Sequence, residues 1–214
     1  MARYRVVLGD DHRLVLAGLK SILESEFDIV GGAADGRALV AEVERVQPDL
    51  VLLDIAMPQL NGIEAARQIR KVAPKARLIF VTQQTDRQYV EAAFRAGASG
   101  YVVKQGYLTE LNTAIQEVLE GRFYVTPMIA EGIPEALFKP TRNPAELFSE
   151  NLTRRQREVL QLVAEGKTIK EIAAVLGVSP KTVAFHKSGI MDELGLRTTA
   201  ELTRYALEHG LASR

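Results

Sequence analysis

Short apolar runs alternate with longer amphipathic stretches through the first 120 residues. The runs at 4–8, 28–31, 49–53, 77–81 and 100–103 are bounded by polar or turn residues, which predicts strands buried on both faces. Between them, 13–25, 36–46, 61–72, 86–96 and 107–120 carry apolar residues three and four apart. Leu108, Leu111, Ile115, Val118 and Leu119 are one such set, and the spacing predicts helices. Five strand–helix units in this order predict an α/β domain, a doubly wound five-stranded parallel sheet with helices on both faces.

The pattern breaks after residue 120. Gly121, Pro127, Gly132, Pro134, Pro140 and Pro144 punctuate the next stretch, which predicts at most a short helix near 127–137 and then an irregular linker. We therefore expect a domain at 1–121, a linker at 122–150 and a second domain at 151–214. The second domain reads as all-α. Thr153 with Gln156, and Thr168 with Glu171, have the spacing of capping boxes. Ser179-Pro180 supplies an N-cap and a proline for the first helical position, and Gly166, Gly177 and Gly195 stand where helices should stop. Four helices are predicted, at about 154–165, 169–176, 180–194 and 199–209; the tight Gly177-Val178-Ser179 joint has the spacing of a helix-turn-helix.

The ends of the predicted strands carry the chemistry. Asp10 and Asp11 follow the first, Asp54 the third, Thr82 closes the fourth and Lys104 follows the fifth. In an open parallel sheet, ligands bind at the carboxyl ends of the strands, so these side chains should converge on one crevice. Clustered carboxylates repel one another unless a cation lies among them. Mg²⁺ suits one or two carboxylates together with phosphate oxygens and water. The remaining Asp is then a nucleophile able to take a phosphoryl group as an acyl phosphate, with the Thr82 hydroxyl within reach of a phosphoryl oxygen.

Charge adds little to this picture. The 27 basic and 27 acidic residues balance, but residues 1–121 hold 14 basic against 16 acidic and residues 151–214 hold 10 against 7. A mildly basic second domain is compatible with nucleic acid. The absence of cysteine excludes disulfides and Cys-based zinc sites. No apolar run approaches the ~20 residues of a membrane span, and the N-terminus leads into a strand, so we expect a cytoplasmic protein with no membrane contact.

Residues 1–120 resemble the receiver domain of bacterial two-component response regulators, a flavodoxin-like fold. The resemblance is carried by Asp10-Asp11, by Asp54 through Met57-Pro58 to Asn61-Gly62, by Thr82, and by Tyr101-Val-Val-Lys104. It implies that Asp54 accepts phosphate from a sensor histidine kinase. Asp11 would bind Mg²⁺ directly, Asp10 would assist through water, and Asp54 and the Ala56 carbonyl would add ligands. Lys104 would pair with the phosphoryl group, and Thr82 and Tyr101 would form the switch. Gln83 departs from the family, which has a small residue there; a long amide either crowds the phosphoryl group or points to solvent.

Residues 151–210 resemble the helix-turn-helix output domain of the LuxR/NarL/FixJ type, on Leu152-Thr153, Gln156 to Leu160, Gly166 to Ala173, Leu176 to Ser179, Thr182-Val183 and His186. In the third predicted helix Val183, Ile190 and Leu194 mark a buried stripe, completed by His186 or Lys187. Lys181, Ala184, Phe185 and Ser188 share the opposite face, the one laid in a major groove. Lys170, Lys181 and Lys187, with Thr168 and Thr182, are placed to reach phosphates of double-stranded DNA. Ala184 stands where the family often has Lys and Ile169 where it has Asn, so base readout here falls to Ala184, Phe185 and Ser188. Phe185 has a second reading, as cover for a neighbouring helix or subunit. In the last helix Leu202, Tyr205, Ala206 and His209 form a stripe that is either core or a dimer face.

The expectation is a response regulator whose Asp54 phosphorylation controls DNA binding and transcription, as a homodimer when active. It is not an enzyme beyond promoting its own phosphorylation and dephosphorylation. Two other readings remain open: a DNA-binding factor whose receiver no longer needs phosphate, and an adaptor that has lost specific DNA recognition.

Overall fold

The computed structural model describes residues 3–105, 107–131, 133, 152–209, 211 and 212. The N-terminal domain is built on one parallel sheet in the order β2-β1-β3-β4-β5-β6. The strands are β1 (Arg5–Gly9), β2 (Asp28–Ala33), β3 (Leu50–Leu53), β4 (Arg77–Thr82), β5 (Gly100–Val103) and β6 (Tyr124–Val125). Helices α1 (Arg13–Leu23), α2 (Gly36–Val46), α3 (Gly62–Val72), α4 (Arg87–Arg95) and α5 (Tyr107–Leu119) connect them, and α6 (Pro127–Ala130) follows β6.

Alternation within each apolar run decides which face of the sheet a residue covers. Val6, Leu8, Leu50, Leu52, Ile79, Val81 and Val102 form one core with Leu19 and Leu23 of α1 and Leu111, Ile115 and Val118 of α5. Their neighbours Val7, Val51, Leu53, Phe80 and Tyr101 form the other, with α2, α3 and α4. Both faces are covered, which is why the middles of β1, β3, β4 and β5 carry no charged side chain.

Among the described residues the sheet has six strands where five were expected. Tyr124 and Val125 pair in parallel with Gly100 and Tyr101. They lie in the stretch read as linker, and a two-residue strand is too short for periodicity to register. The helix expected at 127–137 is present as Pro127–Ala130; residues 134–150, the rest of the expected linker, lie outside those described.

Among the described residues the C-terminal domain has four helices, α7 (Arg154–Ala164), α8 (Ile169–Leu176), α9 (Pro180–Leu194) and α10 (Thr199–Glu208). Both expected capping boxes form, and a third, Thr198 with Glu201, starts α10. Gly177 and Gly195 end α8 and α9 at φ 63° and 65°, the left-handed region that favours glycine. Leu160, Leu162, Ile172, Val183, Ile190, Leu202 and Ala206 close one core. Leu202 and Ala206 are fully buried in it, so most of the α10 stripe is core, with Tyr205 stacked on His209 at its edge.

Candidate functional site

The crevice expected at the carboxyl ends of the strands is present. Asp10 and Asp54 are 1% and 3% exposed. Lys104 reaches between them, its Nζ 2.6 Å from an oxygen of each. Burial works against the ammonium, but Asp54 and Asp10 outweigh it and hold the Lys104 pKa above the ordinary lysine value. Asp54 Oδ1 accepts from the Ile55 N–H at 2.6 Å and more weakly from the Ala56 N–H at 3.4 Å.

Asp10, Asp11, His12 and Asp54 each bring a ligand atom within 4.8 Å of the others. Asp11 Oδ1 is buried without a hydrogen bond, and His12 Nδ1 lies 2.7 Å from it. An orphaned carboxylate oxygen beside two other carboxylates suits a hard divalent cation. His12 was not singled out from the sequence. Its place directly after Asp10-Asp11 was the available signal, and a lone histidine after a strand is too common to use.

The loop between β3 and α3 sits tightly on Asp54. At Gly62 a Cβ would lie 1.9 Å from the Asp54 carbonyl oxygen, so only glycine fits. The Gly62 N–H donates to the Ile55 carbonyl, and Asn61 caps α3 by accepting from the Glu64 N–H.

Thr82 is fully buried, and its hydroxyl accepts from the Gln84 N–H. Tyr101 is fully buried as well and donates its hydroxyl to the Gln84 carbonyl at 2.9 Å. Burial, then the charge of Asp54, push the Tyr101 pKa far up. Gln83 is exposed, which answers the question its bulk raised: it points to solvent in this arrangement.

The second group of candidate residues lies on α8 and α9. Thr168, Lys170, Lys181, Ala184 and Ser188 are exposed, Thr182 is half-buried, and Phe185 is 74% exposed, its ring in a T-shaped contact with His186. Ser179 caps α9 through the Thr182 N–H. Lys187 is different: half-buried, it donates to the Thr199 hydroxyl at 2.7 Å, so a phosphate would have to compete with that bond.

The two groups belong to domains that touch. Glu158 of α7, 2% exposed, bonds Arg37 of α2 as well as Arg154 and Arg155. Glu64 of α3, equally buried, bonds Arg67 and, at 2.7 Å, Arg157 of α7. Gln161 of α7 contacts Met57 and Asn61, and Leu211 and Ala212 border a small gap together with Ala56 and Gln84. None of these contacts was expected. Glu158, Gln161 and Glu165 do share one helix face at spacings of three and four, but a polar stripe on a helix ordinarily reads as solvated.

Residues 6–116 match the response regulator receiver domain family, and residues 150–206 match the bacterial regulatory proteins of the luxR family. The transcriptional regulatory protein MctR of Rhizobium johnstonii is 36% identical over 99% of this chain and 97% of its own length. The oxygen regulatory protein NreC of Staphylococcus aureus is 35% identical, covering 97% of this chain and 98% of that protein. RcsB from Salmonella enterica serovar Typhimurium, solved bound to a promoter with the phosphomimetic BeF3−, aligns with a TM-score of 0.58 at 25% identity. That alignment covers 99% of this chain and all of the other.

Proposed function

This chain belongs to the two-component response regulators that join a receiver to a luxR-type DNA-binding domain, and on that premise we propose that its switch is phosphorylation of Asp54. The observation that carries the proposal is the pair of 2.6 Å bonds by which Lys104 bridges Asp54 and Asp10 at the carboxyl edge of the sheet. The phosphoryl donor is a sensor histidine kinase. A carboxylate oxygen of Asp54 forms the new bond to phosphorus as the bond from phosphorus to the donor imidazole breaks, and the imidazole leaves to take a proton. Asp10, Asp11, Asp54 and the Ala56 carbonyl are the residues that would hold Mg²⁺, which would supply charge neutralisation at the phosphoryl oxygens.

Lys104 is already charged and aimed at Asp54, so it follows the developing charge without a proton transfer. Thr82 is one bond from release: among the described residues its hydroxyl holds the Gln84 N–H alone, at 3.3 Å, and turning to a phosphoryl oxygen frees Gln84. Gln84 also carries the carbonyl to which Tyr101 donates, so the two switch residues meet at one residue, on the two peptides that flank it. Beyond promoting this transfer and its reversal by water, the chain has no separate catalytic role in our reading. We place the receiver at about 1–121 with β6 added, and the DNA-binding unit at 151–214.

DNA binding falls to α8 and α9. Thr168, Lys170, Lys181 and Thr182 position the domain on phosphates, with Lys187 after release from Thr199; Ala184, Phe185 and Ser188 face the bases. A dimer on two related half-sites is the active form, in a cytoplasmic setting. One observation bears on how phosphate gates this. The α9 face is exposed while the domains are docked, Phe185 to 74%, so the receiver does not cover the reading side chains. This favours control through dimerisation over unmasking.

The test is selection of genomic DNA fragments by purified protein, with and without Mg²⁺ and beryllofluoride, beside Asp54→Asn. Enrichment of an inverted repeat with the mimic only, lost in the variant, supports the proposal. Equal enrichment in all conditions removes phosphate control, and no enrichment leaves the adaptor reading in its place.

A further inference from the structure

The loop between β3 and α3 is gripped from the other domain at three alternate residues. Gln161 donates from Nε2 to the Met57 carbonyl at 3.0 Å. Its Oε1 accepts from the Asn61 backbone N–H at 2.8 Å and from Asn61 Nδ2 at 3.3 Å. Glu165, one turn further along α7, accepts from the Gln59 N–H at 2.9 Å and from Gln161 Nε2 at 2.8 Å. Gln59 sits at φ 64°, a left-handed conformation that a non-glycine residue enters at a cost. Gln161 and Asn61 are 1% and 4% exposed.

The other end of the same loop is fixed to Asp54. The Ile55 N–H donates to Asp54 Oδ1, while Met57 and Gly62 both donate to the Ile55 carbonyl. Hence Met57 is pinned on both sides, by Ile55 through its N–H and by Gln161 through its carbonyl. The peptide that carries the Ala56 carbonyl also carries that Met57 N–H, so it cannot turn without straining the bond to Ile55, and Gln161 fixes the next peptide along. The gripping side chains are polar and hydrate freely when the domains part, so the contact is suited to opening.

From this geometry we propose that Gln161 and Glu165 are positioning residues for the phosphorylation site, acting as a restraint supplied by the DNA-binding domain. They hold residues 57–61 in the arrangement that goes with Lys104 bridging Asp10 and Asp54. Cation and phosphoryl group therefore bind Asp54 less readily in the docked chain than in the undocked one. Linkage makes the effect reciprocal: occupancy at Asp54 loosens the grip by the same factor. The inference rests on Asp54 being the phosphoacceptor.

The experiment uses the full chain, phosphorylated by acetyl phosphate over a range of Mg²⁺ concentrations, as wild type and as Gln161→Leu. Leucine keeps much of the bulk and removes every hydrogen bond. We expect the Mg²⁺ concentration for half-maximal rate to fall by about 5-fold or more, the lower range of allosteric coupling. Amide exchange in the wild-type chain gives a second readout: the Asn61 N–H should exchange about 5-fold or more faster once Mg²⁺ and beryllofluoride are added. If Gln161→Leu does not fold, that exchange decides alone. A wild-type chain labelled at Asp54 whose variant is unchanged or slower, or whose Asn61 protection is unaffected, overturns this inference only. A wild-type chain that never takes label at Asp54 overturns the functional reading and the restraint with it.

Discussion

Arg37 of α2 and Glu158 of α7 stand 121 residues apart in the chain and 3.0 Å apart in space. Burial alone would raise the Glu158 pKa, but Arg37, then Arg154 and Arg155, outweigh it and hold it below the ordinary glutamate value. A lowered carboxyl pKa contributes stability above that ordinary value and loses it as pH falls through the lowered one. Acid should therefore open the domain contact before it unfolds either domain. Arg37→Ala should weaken it at neutral pH by about 1 kcal/mol and raise the open fraction, since Glu158 keeps its two α7 arginines and Arg157, Gln161 and Glu165 keep their receiver partners. Small-angle scattering checks both: the radius of gyration rises with the variant and in acid, and an unchanged value would show that the pair does not hold the domains.

Lys104 is the counter-charge for two carboxylates that are almost wholly buried. Lys104→Met leaves both without it, and breaking a buried pair this way costs roughly 3 kcal/mol. The same loss sharpens the field on a cation, so Mg²⁺ should raise the melting temperature of the variant more than that of the wild type. Thermal melts in EDTA and in Mg²⁺ decide it; equal Mg²⁺ shifts would contradict the pocket's electrostatics. Since the Lys104 pKa is raised, its stabilisation is complete below the ordinary lysine value of 10.5 and is lost as pH rises through the higher folded value. The difference between wild type and variant should be flat near neutral pH and shrink only in strong alkali.

The elements that were legible in the sequence were the ones whose signal is local. Runs such as Leu50 to Leu53, caps such as Thr168 with Glu171, and stops such as Gly177 each declare themselves within a few residues, and each stands where expected. Asp10, Asp54 and Lys104 were legible because a parallel sheet puts strand ends together whatever the loops do. What escaped depends on distant partners. Gln161 and Glu158 look like any solvated helix face until α7 is laid against α2 and the β3–α3 loop, and β6 is too short to announce itself. The resemblance to receivers named Tyr101 as a switch, but its partner, the Gln84 carbonyl, depends on where the chain goes after β4.

Tyr101→Phe removes the hydroxyl that Gln84 accepts and leaves that carbonyl without this donor inside the protein. The expected cost is about 1 kcal/mol. Burial first, and Asp54 second, raise the tyrosine pKa, so the contribution is intact below the ordinary value of 10.0 and falls away only as pH rises toward the folded value. Ultraviolet titration gives a direct check: Tyr101 should be among the tyrosines that stay protonated until the protein unfolds in alkali, with Tyr89 also raised by burial, and Tyr101→Phe should have one fewer of them. A titration in which every tyrosine ionises near the ordinary value would place Tyr101 out of the core.

Lys181 and Phe185 lie on the same exposed face of α9 but should fail differently. An ammonium on phosphate carries no sequence information, so Lys181→Ala should weaken binding about equally on every DNA and lower the salt slope by about 0.9. Phe185 is 74% exposed and apolar, with nothing to offer a phosphate. If it meets thymine methyl groups, Phe185→Ala should keep the salt slope and flatten the preference among bases at its position, at about 1 kcal/mol or more. Affinities measured on a set of single-base variants of the selected site, at two salt concentrations, separate the two. A changed salt slope for Phe185→Ala with unchanged preference would move that residue from base reading to a packing role against a neighbouring subunit.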